Sequence, residues 1–129
     1  MSVDVWEPEK KEPESQEIEI ALLERMAALD ESSLGSSLEE AGLGQASWLM
    51  SLDAAAWQIA ESLNDETLIK LVRLFTLLEM QVSGWDAGKK SPVIPLVKIL
   101  RKREAFSADL RKWVKTNTDN RYLPNGSAL

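Results

Sequence analysis

The chain has 129 residues, with 21 Asp and Glu against 15 Lys and Arg and neither cysteine nor histidine. That length suits one domain around one core. Lacking those two residue types, it has no means to build a disulfide framework, a thiolate zinc site, or Ser-His-Asp, Cys-His or Glu-x-x-His chemistry.

The formal net charge of -6 hides a division along the chain. Residues 1–66 carry sixteen acids against three bases, a net of -13, and residues 67–129 carry twelve bases against five acids, a net of +7. Such asymmetry means either that one half seeks an external partner of opposite sign or that the halves face each other.

Residues 1–14 are rich in Glu, Lys and Pro, and Pro8 and Pro13 oppose helix, which predicts a disordered acidic arm. Trp6 is the one residue there that solvation does not explain, and it is a candidate aromatic docking anchor. Ser15 is placed to cap a first helix, with Glu17 and Glu19 in its first turn and Ile18, Leu22, Met26 and Leu29 on one face. The following run ESSLGSSLEEAGLGQAS reads as a hinge-like loop with one short helical turn around Leu38–Ala41.

Ser51 and Asp53 open a helix whose lining is expected to be Leu52, Ala56, Ile59 and Leu63. Asn64, followed by Asp65 and Glu66, restarts the chain as a longer helix. In it Leu68, Leu71, Phe75, Leu78 and Val82 keep 3, 4, 3, 4 spacing, while Ile69, Val72, Leu77 and Met80 extend the apolar surface. A helix apolar on more than one face belongs at the centre of its domain or at a homodimer seam. Lys70, Arg73 and Glu79 interrupt this stretch, which falls short of the roughly 20 apolar residues of a membrane span. The arm also lacks the basic start and apolar run of a secretory signal, so a cytoplasmic location without membrane contact is expected.

Ser91 and Pro92 begin a further helix with Val93, Leu96, Val97 and Leu100 on one face. Ser107 caps the last, in which Leu110, Trp113 and Val114 are the buried positions and which ends near Asn117. Residues 118–129 leave as an irregular tail, in which Tyr122 and Leu123 are able to dock on the bundle or on a partner. The expectation is an all-α compact bundle of about five helices, with a single helical domain over residues 15–117.

GWDAGKKS, Gly84 to Ser91, invites comparison with a phosphate-binding loop. A P-loop requires four residues between its glycines, a hydroxyl directly after the lysine that follows the second glycine, and a preceding buried strand; here three residues separate Gly84 from Gly88, Lys90 stands in the hydroxyl's place, and a helical run precedes. What survives is a generic anion site of Lys89, Lys90 and Ser91 at a helix start. The plainer reading has Gly84 ending one helix in a left-handed conformation, Trp85 folding back onto the core and both lysines solvated. Trp85 exposed would instead be a second aromatic anchor.

Lys98, Arg101 and Lys102 share one helical face, Arg111 and Lys115 share another, and Arg121 follows in the tail. These six are the candidate partner-binding residues. Three functions remain open. The first is a non-enzymatic adaptor or regulator binding an acidic protein, possible as a homodimer. The second is a nucleic-acid-binding regulator using the same surface, against which the sequence pI of about 4.7 counts. The third is a small hydrolase or metal protein built on the carboxylate pairs Glu39 and Glu40, Asp65 and Glu66, or Glu61 and Asp65, which at helix starts serve more often as dipole partners. No cofactor or metal is expected under the leading reading.

Overall fold

A computed structural model describes residues 18–120 and 122–124. Among them are five α-helices, three 3-10 segments and no strand. The helices are α1 (Ile20–Ala27), α2 (Leu34–Glu40), α3 (Asp65–Gln81), α4 (Val93–Lys102) and α5 (Ala108–Thr116). The 3-10 segments are Ala46–Ser51, Ala54–Ser62 and Gly88–Lys90. The fold is all-α and compact, as the sequence pattern requires.

α3 is the centre of the domain, packing against α1, α2, α4 and α5. Its start follows from the cap, since Asn64 Oδ1 accepts the Thr67 N–H at 2.8 Å and Asp65 and Glu66 complement the first-turn dipole. Leu68, Leu71, Val72, Leu74, Phe75 and Leu78 are all buried, because partners approach this helix from several sides. A turn closed by the Trp85 N–H on the Val82 carbonyl at 3.2 Å follows α3. Gly84 sits at its third position with φ +90, where a β-carbon would be strained. Trp85 returns to the core.

Two α-helices end in the same way for different residue types. At the end of α2 the Leu43 N–H reaches the Leu38 carbonyl at 2.8 Å across Gly42, whose φ is +73. At the end of α4 the Ala105 N–H reaches the Leu100 carbonyl at 2.8 Å across Glu104, whose φ is +57. Both are left-handed helix stops, the second built without glycine.

Three sequence expectations are corrected. The first helix begins at Ile20 rather than beside Ser15, with Ile18 buried ahead of it, and Ser15 itself lies outside the described residues. The glycine-rich stretch after Asp30 holds a full helix, α2, and a 3-10 segment, because Leu34, Leu38, Leu43 and Leu49 all enter the core. The Arg25 guanidinium donates to the Ala41 carbonyl at the end of α2 and ties this stretch to α1.

The third correction concerns Ala54–Ser62, which is 3-10. It buries Trp57 and Ala60, with Leu63 just beyond its end buried as expected, all three residues apart, and leaves Ala56 exposed and Ile59 40% exposed. A 3-10 turn stacks positions i and i+3. Burying the large indole edge-to-face on Phe75, with centroids 5.6 Å apart, therefore turns Ala56 and Ile59 outward.

Candidate docking groove and the carboxylate beside it

α4 and the Ala54–Ser62 segment lie side by side, and the space between them is a groove. Its largest hollow, about 430 Å³, has Ala54, Trp57, Ile94, Pro95 and Ile99 as apolar lining and Lys98 and Lys102 as charged lining. A second hollow of about 230 Å³ shares Ala54, Trp57, Ile94 and Pro95 with it and extends the groove to Lys89, Lys90 and Ser91. A third, of about 100 Å³, shares Glu61, Ile99 and Lys102 and carries the groove on to Arg103. The whole lining holds Lys89, Lys90, Lys98, Lys102 and Arg103 against Asp53 and Glu61, a net of +3. Trp57 is completely buried beneath it, yet its Nε1–H finds no hydrogen-bond partner among the described residues. An orphaned buried donor of this kind costs about 1–3 kcal/mol.

The division of charge along the chain resolves into two populations. Some bases pair with the acidic half. Arg73 binds Glu31 through two hydrogen bonds of 3.1 and 2.9 Å and stacks at 4.3 Å over the Trp113 ring. Lys90 lies 3.3 Å from Asp53, and Arg103 lies 2.9 Å from Asp65 while also donating to the carbonyls of Leu63 at 2.8 Å and Glu61 at 2.6 Å. Lys89, Lys98 and Lys102 form no ion pair among the described residues and are exposed. The groove rim therefore keeps unneutralised charge above an apolar floor.

Of the candidate partner-binding residues, the structure gathers Lys98 and Lys102 in the groove. Arg101 is exposed on the same helix without lining it, and Arg111 and Lys115, exposed on α5, lie outside it. Arg121 and Trp6 fall outside the described residues. Trp85 is buried, at 2% exposure, so its indole is a core side chain and no surface anchor. In the proposed anion site Lys89 and Lys90 are exposed, but Ser91 is completely buried and its hydroxyl is donated to Glu79. Its Oγ also accepts the Val93 N–H at 3.2 Å, so Ser91 does help to start α4.

Glu79 is the functional-type residue that the sequence pattern conceals. It stands near the end of α3, and both its oxygens are engaged: Oε2 by the Ser91 hydroxyl and Oε1 by Asn120 Nδ2 at 3.1 Å. Asn120 Nδ2 also donates to the Gly88 carbonyl at 2.9 Å. Burial pushes the Glu79 carboxyl above the ordinary glutamate value, against the opposing pull of Ser91, Asn120 and the Ala87 backbone, and nearby Asp86 adds to the rise. A hollow of about 380 Å³ adjoins it, bordered also by Asp86, Asp119 and Tyr122. The one available signal was a lone carboxylate inside an apolar helical pattern. Its partners are 12 and 41 residues away, beyond the reach of local pattern.

Asp65 is committed to Arg103, and Glu66 lies 3.9 Å from Lys70 one helical turn on. No group of three or more acidic side chains among the described residues is arranged to hold a metal ion. No described helix is long and apolar enough to cross a membrane. The chain matches no known protein family, no curated protein and no solved structure.

Proposed function

We propose that this chain is a non-enzymatic cytoplasmic adaptor or regulator that docks an acidic protein segment in the groove between α4 and Ala54–Ser62. The observation that supports this reading is the combination of an apolar floor, Ile94 and Pro95 over the buried Trp57, with Lys98 and Lys102 at its rim, which form no ion pair among the described residues. The floor supplies affinity through buried apolar contact, and the rim selects acidic chains and speeds their encounter. The binding surface is thus narrower than all the basic helices together, and the cations of α5 contribute long-range attraction.

Affinity capture from lysate, with the wild-type chain beside a Lys98→Glu, Lys102→Glu double variant, tests this. A protein retained after nuclease treatment, released by high salt and lost with the double variant is the expected result. Equal retention by the double variant would refute the groove, and enrichment that disappears on nuclease treatment would replace the protein ligand with a nucleic acid.

A further inference from the structure

The groove has a complementary segment in its own chain. Residues 1–17 carry six carboxylates against Lys10 and Lys11, a net of -4, and the groove lining carries a net of +3. The same segment holds Val3, Val5 and Trp6, apolar side chains of the sort that an Ile94 and Pro95 floor takes. Its attachment point also favours the groove, because α1 packs against the Ala54–Ser62 segment that forms one groove wall. From Trp6 to Ile18 is 12 residues, which extended span about 40 Å. A domain of about 100 residues has a radius of gyration of only about 13 Å, so the whole groove lies within reach.

We infer that residues 1–17 occupy this groove intramolecularly, with Trp6 on the Ile94 and Pro95 floor and the arm carboxylates facing Lys98 and Lys102. The chain then carries its own competitor for the site. A short tether presents the arm at an effective concentration of about a millimolar, so an outside ligand must bind well enough to displace it. Pro8 and Pro13 suit this role, since they keep a segment extended and lower the entropy lost on docking. The inference shares its groove with the proposed function but requires no outside partner, so the two fail separately.

The test uses the purified full-length chain. Zero-length carbodiimide coupling joins carboxylates only to amines in contact with them, and a mixture of isotopically light and heavy protein separates links within a chain from links between chains. Asp4, Glu7 or Glu9 joined to Lys98 or Lys102 of the same chain is the expected product, falling several-fold in Trp6→Ala and in high salt. Arm carboxylates joined instead to Lys70, Lys112 or Lys115, or links chiefly between light and heavy chains, would overturn it. Because the chain has no cysteine, Ser2→Cys accepts one spin label at a known place. That label is expected to abolish the Trp57 indole N–H and Lys98 amide signals in the magnetic resonance spectrum, with recovery in the Lys98→Glu, Lys102→Glu variant. Signals left intact by the label would equally refute the inference.

Discussion

Replacing Asn120 by alanine is expected to loosen the segment that follows α5, because this one side chain ties it to two distant parts of the fold. The substitution removes a hydrogen bond to the Glu79 carboxylate at 3.1 Å and one to the Gly88 carbonyl at 2.9 Å. A bond to a charged group contributes about 1.5–3 kcal/mol and a neutral one about 1 kcal/mol. Asn120 is only half-buried, which places both at the low end, so the expected loss is about 2 kcal/mol. For a domain near 100 residues this lowers Tm by about 8 °C. Thermal unfolding reads the shift, and amide exchange at Leu123, whose N–H bonds the Asn120 carbonyl at 3.1 Å, reports the local opening. A Tm within about 2 °C of the parent would show that the clasp does not hold the fold together.

The same clasp predicts a pH dependence with a definite sign. Burial raises the folded Glu79 carboxyl above the ordinary value of 4.5, so the folded chain binds that proton more tightly than the unfolded chain. Its contribution to stability is fully present below the ordinary value and is lost as pH rises through the folded one. The Glu79→Gln variant keeps the shape and lacks this loss, so the difference in stability between variant and parent should grow in the variant's favour from about pH 4.5 upward. A flat difference across that range would refute the raised value.

Other substitutions test separate parts of the fold. Trp57→Ala is expected to cost about 3–5 kcal/mol in urea unfolding, as for other buried aromatics, whereas Trp57→Phe costs much less because it also removes the unpartnered N–H. Arg103→Ala loses contacts to Glu61, Leu63 and Asp65 and is expected to cost about 1–2 kcal/mol, with exposed Lys98→Ala on the same helix within about 0.5 kcal/mol of the parent. Glu104→Gly relieves a left-handed non-glycine helix stop and is expected to stabilise the chain by about 0.5–1 kcal/mol in the same assay.

The helices with strong local signals were legible in advance. The Asn64 and Ser107 caps, the central placement of α3, the left-handed Gly84 and the inward fold of Trp85 all follow from residue type and spacing. Local signals failed where two of them competed. In Ala54–Ser62 a 3.6-residue pattern through Ala56 and Ile59 lost to the burial of one large indole, and around Gly35 and Gly42 the glycines concealed leucines destined for the core. The candidate site was legible only as a surplus of basic residues. Which of them pair was decided by whether an acidic side chain from the other half of the chain stands opposite, as it does for Arg73, Lys90 and Arg103 and, among the described residues, does not for Lys98 and Lys102 in the groove.

The sequence by itself determined the all-α class, the helix starts at Asn64 and Ser107, and the absence of cysteine and histidine chemistry, because these depend on composition and on contacts within a few residues. Only the tertiary structure decided that the Ala54–Ser62 segment and α4 meet as a groove, and that Glu79, Ser91 and Asn120 meet as a clasp. Such meetings join residues separated by many turns of chain, and the packing of the whole core around α3 is what brings them together.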